Sequence, residues 1–201
     1  MQMTALYLGH LNAGADVSVA AGRLIRSGAH LQGLLDDLVD FNRTNLGLGI
    51  NIVPSEVDLG AICAQEVELL RVAYPNSQLH LEVLGDCRGF WDGSRVKQLL
   101  GNLVTNAIQY GAPDTPVRVA VVGEKSDVRI RVSNSGPAID GETMDQLFEP
   151  LKRFTTKERD PPGLGLGLYI VRAIAKGHGG AAEARSDDRE TVFTVRLPRK
   201  R

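Results

Sequence analysis

With 201 residues, 43% of them hydrophobic, the chain has enough apolar material for one large domain or two small ones without metals or disulfides to hold them. The 23 basic residues nearly cancel the 24 acidic ones, which excludes a general nucleic-acid binder or an anionic-membrane binder and requires any anionic ligand to be held locally. Cys63 and Cys87 form neither a CxxC pair nor part of a Cys/His cluster, so a disulfide framework and a zinc site are both unexpected.

Residues 1–11 place Met3, Leu6, Tyr7 and Leu11 at helical spacing, and residues 12–16 break that pattern. From Arg23 to Arg43, the residues Leu24, Leu31, Leu34, Leu35, Leu38 and Phe41 recur at steps of three, four and seven, one apolar stripe on a long helix. An antiparallel helical hairpin is the expected product, and two copies of it would complete a four-helix bundle. Periodicity leaves open the alternative that the hairpin packs on its own domain. The polar, glycine-bearing stretch 45–54 reads as a linker, dividing the chain into domains 1–53 and 54–201.

Asp58 is placed to cap a helix reaching Ala73, and residues 79–83 alternate like a strand. A helix capped by Asp92 runs to Tyr110. Val117, Val119 and Val121, then Val128, Ile130 and Val132, predict two strands of a hairpin turning at 123–126. A short helix over 141–148, a loop rich in charge, Pro and Gly, a helix from about 163 to 176 and a strand over 191–197 complete the chain. Strands and helices without strict alternation predict an α+β class, a mixed or antiparallel sheet with helices on one face. No apolar run reaches the ~18 residues needed to span a bilayer, and no signal peptide is present, so a cytoplasmic location without membrane contact is expected, any membrane anchor of a longer protein lying upstream.

Three constellations carry chemistry. Asn102 and Asn106 lie four apart on the helix 92–110 and share one face, where two amide oxygens can meet one Mg²⁺; a pair of satisfied buried amides is the plainer alternative. Gly163, Gly165 and Gly167 alternate with Leu164, Leu166 and Leu168 directly before a helix, so backbone amides can approach an anion at the positive end of the helix dipole. The stretch is neither a Walker loop nor a Rossmann fingerprint. Asn134, Gly136, Ala138 and Ile139 fall in a turn after a strand, which suits a base contact or simply a turn.

In this order the three elements resemble the histidine-kinase catalytic domain of the Bergerat ATPase superfamily. Residues 92–110 look like its N box, 134–139 its first glycine box, Leu147 to Pro150 with Phe154 its F box, 163–168 its second glycine box, and His178-Gly179-Gly180 its usual end to the following helix. Residues 25–28 and 34–40 resemble the second dimerisation helix of the same kinases. The resemblance implies a truncated dimerisation hairpin followed by an ATP-binding domain, a homodimer through the hairpin, and a response-regulator receiver domain as partner.

By that resemblance Asn102 and Asn106 are catalytic, coordinating the Mg²⁺ that bridges the ATP phosphates. Gln109 and Tyr110 line the pocket, Asn134, Gly136, Ala138 and Ile139 approach the adenine, and residues 163–168 close on the phosphates beneath a lid over 149–162. Lys152, Arg153, Lys157 and Arg159 are phosphate-contact candidates. Related ATPases such as DNA gyrase carry a water-activating glutamate where Asn102 stands, so its absence favours a kinase over a hydrolase. Asn134 replaces the family's aspartate and Ala138 its last glycine; exchanging a charged for a neutral hydrogen bond weakens affinity about tenfold. None of His10, His30, His80 and His178 fits the family's H box, so the acceptor histidine is expected upstream of Met1, and this chain is not expected to phosphorylate itself. A non-catalytic adaptor that dimerises and docks a response regulator is the alternative, and a serine kinase of anti-sigma type a third reading that leaves the hairpin unexplained.

Overall fold

The computed structural model describes residues 14–152 and 164–199, with backbone alone for 14–27, 29 and 30. The chain forms two compact units, Met1–Val39 and Asp40–Arg201. In the first, the helix α1 (Gly14–Asn45) runs to the unit boundary and beyond it. It already includes Gly14, Ala15 and Asp16, where the sequence suggested a break. A single glycine costs a helix only about 1 kcal/mol, and the alanines that follow offset it. The pattern over residues 1–11, and with it the hairpin, lies outside the described residues. Leu31, Leu35, Leu38 and Val39 are exposed on α1.

The second unit opens with β1 (Ser55–Asp58), which pairs antiparallel with β3 (Arg88–Trp91). The helix α2 (Leu59–Ala73) is capped by Asp58, whose side chain accepts from the amides of Gly60 and Ala61, as the sequence indicated. The main sheet has the order β2-β4-β5-β7-β6, formed by β2 (Leu79–Leu84), β4 (Val117–Gly123), β5 (Asp127–Asn134), β7 (Thr191–Pro198) and β6 (Ala181–Ser186). All its pairs are antiparallel except β2 with β4. A parallel pair needs a long crossover, and here β3 and the helix α3 (Gly93–Tyr110) supply it. The helices α4 (Gly141–Gln146) and α5 (Gly167–Gly177) come later, each shorter than its expected span.

Strict alternation puts Val117, Val119, Val121, Val128, Ile130, Val132, Phe193, Val195 and Leu197 on one face, all buried. They meet α2, α3 and α5 in one core with Leu59, Trp91, Leu99, Leu103, Ile170 and Ile174. The other face carries Arg118, Arg129, Arg131 and Arg196 and is exposed. The expected α+β sandwich with a mixed sheet and helices on one face is therefore the observed architecture. No helix of the described residues is long and apolar enough to cross a membrane.

Candidate functional site

The site is built from the helix α3 upward. Asp92 caps it: Oδ1 accepts from the amides of Ser94 and Arg95 at 3.1 and 3.2 Å and from Ser94 Oγ at 2.7 Å, while Oδ2 accepts from the Val53 amide at 2.9 Å. Burial pushes its carboxyl pKa up, but these hydrogen bonds outweigh burial and hold it below the usual carboxylate value. Val96, Leu99, Leu100, Leu103, Val104 and Ala107 face the core. Asn102, Asn106 and Gln109 are left half-buried on the remaining face, and Tyr110 is exposed at the helix end.

Asn102 reaches across to the start of α5, where its Nδ2 donates to Gly167 O at 3.3 Å. The amide is oriented by that bond, and Oδ1 is turned to the other side of the group. The Asn106 side chain is half-buried, and no hydrogen bond from it to a described residue is seen. Opposite Asn102, α5 begins at Gly167 with no side chain capping its first turn, leaving amides available to an anion. Gly165 has φ +68°, a left-handed backbone that a side chain would strain, and its carbonyl accepts from Leu151 N at 3.0 Å. Leu166 is buried, Leu168 packs against the core and Leu164 is exposed. Lys152 is exposed, whereas Arg153, Phe154, Lys157, Arg159, Pro162 and Gly163 lie outside the described residues.

At the far end of α3, Asn134 is buried at the close of β5, with Nδ2 donating to Ser135 O at 3.2 Å. Ala112 N donates to Ser135 O at 2.7 Å, which draws this loop onto the end of α3. Gly136 sits so close that a Cβ there would lie 3.4 Å from Tyr110 O. Asn134, Ser135 and Gly136 thus adjoin the end of α3 at Tyr110 and Ala112. Ala138 is exposed, and Ile139 N donates to Ser186 Oγ of β6 at 3.1 Å. Ile139 also lines a groove with Arg131, Met144 and Val192 on the exposed face of the sheet, away from Asn102.

Sequence reasoning missed a second group of residues that hold the site. Asp40, 2% exposed, receives Arg95 Nη1 at 2.6 Å, Arg95 Nη2 at 3.0 Å and Gln98 Nε2 at 3.2 Å. Phe41 meets the Tyr169 ring edge-on at 5.7 Å. His178 is buried between Asp92 N and Ile174 O. Nothing in the sequence pairs positions 55 or 86 residues apart, and Asp40, one of three aspartates in residues 36–40, is not singled out by its neighbours.

The chain belongs to the family of histidine kinase-, DNA gyrase B- and HSP90-like ATPases, whose model matches residues 91–201. Within that family it carries the ATP-binding catalytic domain found in histidine kinases. It is 30% identical to the catalytic domain of histidine kinase ThkA, with a TM-score of 0.63 over 73% of this chain and 98% of that one. Full-length ShkA in complex with AMPPNP shares 25% identity and a TM-score of 0.68 over 97% of this chain and 41% of that one. The sensor histidine kinase TrcS of Mycobacterium tuberculosis is 32% identical over 173 residues, 82% of this chain and 33% of that protein. The chain spans 24% to 45% of the length of such curated relatives.

Among the described residues no three His, Cys, Asp or Glu side chains cluster to hold a metal unaided. Neutral amide oxygens such as those of Asn102 and Asn106 suit a hard divalent cation only where anionic oxygens, such as those of phosphates, supply the charge balance.

Proposed function

We propose that this chain binds Mg²⁺-ATP between α3 and the start of α5 and transfers the γ-phosphoryl group to a histidine of a two-component signalling partner. The observation that carries the reading is the Asn102–Gly167 contact beside an unpartnered Asn106. Asn102 meets the start of α5, whose first turn carries no side-chain cap, and Asn106 follows it one turn along α3. Asn102 and Asn106 would hold the cation, which would supply neutralisation of the phosphate charge. Gly165, Leu166, Gly167 and Leu168, with Gly163, offer backbone amides to the phosphates, while Lys152 and Arg153 add positive charge. Gln109, Tyr110, Asn134 and Gly136 form the base end, whereas Ile139, which turns to the groove on the other face of the sheet, takes no part in it. A neutral imidazole attacks the γ-phosphorus, the bond to the β–γ bridging oxygen breaks, ADP leaves with the electron pair, and the imidazole proton passes to solvent. No strong base on this domain is needed, because the nucleophile is already deprotonated.

Residues 1–53 act in this proposal as a dimerisation hairpin and linker, and 54–201 as the catalytic domain. The exposed Leu31, Leu35 and Leu38 supply the apolar stripe for a homodimer, and a response-regulator receiver domain is the downstream partner. The test is calorimetric titration of a non-hydrolysable Mg²⁺-ATP analogue into the chain beside Asn106→Ala. Saturable binding lost in the variant, followed by labelling of a separate acceptor-histidine hairpin from radiolabelled ATP, is the expected result. An unbound parent chain would overturn the kinase reading and leave the adaptor, to which the neutral Asn134 and Ala138 would then belong.

A further inference from the structure

The helices α3 and α5 are joined by directional contacts at two places. One is Asn102 Nδ2 donating to Gly167 O at 3.3 Å. The other lies at the opposite ends of the same helices, where Asp92 N–H donates to His178 Nε2 at 3.0 Å. The second ring nitrogen, Nδ1, donates to Ile174 O at 2.9 Å. Both partners are backbone groups whose donor and acceptor roles cannot invert, so the ring is held neutral with its proton on Nδ1. Asp92 precedes Asn102 by ten residues, and Gly167 precedes His178 by eleven. At 1.5 Å per residue the two ties therefore stand about 15 Å apart on either helix.

Between the ties the two helices bury Leu99, Leu103, Ile170 and Ile174. Apolar burial is non-directional and tolerates a small axial slide; a hydrogen bond does not. Because both helices are stiff, a slide permitted at the His178 end reaches the Asn102 end undiminished. The ring is itself fixed in space. Gly179 turns the chain with φ +74°, and Gly180 lies so close to β7 that a Cβ would stand 1.9 Å from Arg196 O. The amides of Gly179 and Gly180 close back on Lys176 O and Ala175 O at 2.9 and 2.8 Å. The two glycines thus pin the end of α5 to the sheet and present the imidazole to Asp92.

We propose that His178 is a positioning residue of the nucleotide site: by accepting the Asp92 amide it sets the axial register of α3 against α5, and so holds Asn102 and Asn106 opposite the first turn of α5. The inference rests on the nucleotide-binding reading above, and its test separates the two. In the full chain, His178→Gln retains an acceptor near the position of Nε2, His178→Asn retains only a donor near Nδ1, and His178→Phe retains neither. Two properties are read below the melting temperature of every variant: affinity for the ATP analogue, and the NMR cross-peaks of the Asn102 side-chain amide without nucleotide.

The Gln variant is expected to bind within about threefold of the parent and to keep the parental Asn102 signals, whereas Asn and Phe weaken binding about tenfold or more and shift those signals. Lower melting temperatures with parental affinity and unmoved Asn102 signals in Asn and Phe would reduce His178 to a purely structural residue and overturn the proposal. If the parent binds no nucleotide, the function proposed above fails, and the Asn102 signals alone decide the register. Should Asn and Phe not fold, weakened binding or shifted Asn102 signals in a folded Gln variant overturn it, and parental values in both uphold it.

Discussion

Along α1 the residues Leu31, Leu35 and Leu38 recur at steps of four and three; along α3, Val96, Leu99, Leu100, Leu103 and Ala107 do the same. The fates of the two stripes differ. Leu99, Leu100 and Leu103 are completely buried, whereas Leu31, Leu35 and Leu38 are 59%, 57% and 41% exposed. Helix α3 buries its stripe against a sheet supplied by the same chain, so its stability belongs to the chain alone. Leu31, Leu35 and Leu38 stay exposed, and helical stability in water comes mainly from packing an apolar face, so these three add little to α1 where they stand. One amphipathic pattern thus serves folding in α3, while in α1 it stays exposed, as the homodimer proposed above would use it.

That contrast can be broken by substitution. The largest effect is expected from Leu99→Ala, which removes a fully buried side chain and should destabilise the second unit by about 2–5 kcal/mol in denaturant titrations. A loss below about 1 kcal/mol would show that α3 is not held by its core face. Asp40→Ala comes next: it strips Arg95 and Gln98 of their shared acceptor and should cost about 2–3 kcal/mol, less than a fully buried pair because Arg95 keeps some contact with water.

Asp92→Ala should cost about 1–2 kcal/mol at neutral pH through lost capping. Its carboxyl titrates lower in the folded chain than in the unfolded one, so the stabilisation is present above about pH 4 and lost as pH falls through the folded value. The gap between parent and variant should therefore close on acidification, and a gap independent of pH would sever the cap from its charge. Leu35→Ala is expected to change the unfolding of the second unit least, by about 0.5 kcal/mol or less, while weakening self-association in sedimentation experiments. A large loss of stability in dilute monomer would place the α1 stripe inside the chain's own core.

Local chemistry made much of this architecture legible. Asp58 and Asp92 announce their helices, and the alternating valines of β4 and β5 announce a hairpin, because both signals act over a few residues. The strand β6 escaped notice because Ala181, Ala182 and Ala184 lack the branched side chains that mark strands, and it is held by pairing with β7 instead. β3 escaped because Phe90 and Trp91 are adjacent and give no alternation. The site followed the same division. The order of Asn102, Asn106 and the glycines was visible as a candidate site, but Asp40 with Arg95, and Asp92 with His178, meet only once the sheet and its crossover have brought distant stretches together.

Trp91, the only tryptophan of the chain, is completely buried, and its Nε1 donates to Pro198 O at 3.0 Å, fastening β3 to the end of β7. Every photon of indole emission from this chain therefore originates inside the second unit. Fluorescence during denaturation follows that unit alone, while far-ultraviolet ellipticity also counts α1. Superimposable curves from the two signals would mean that α1 and the catalytic core unfold as one cooperative body, and separated curves that the helix melts on its own schedule.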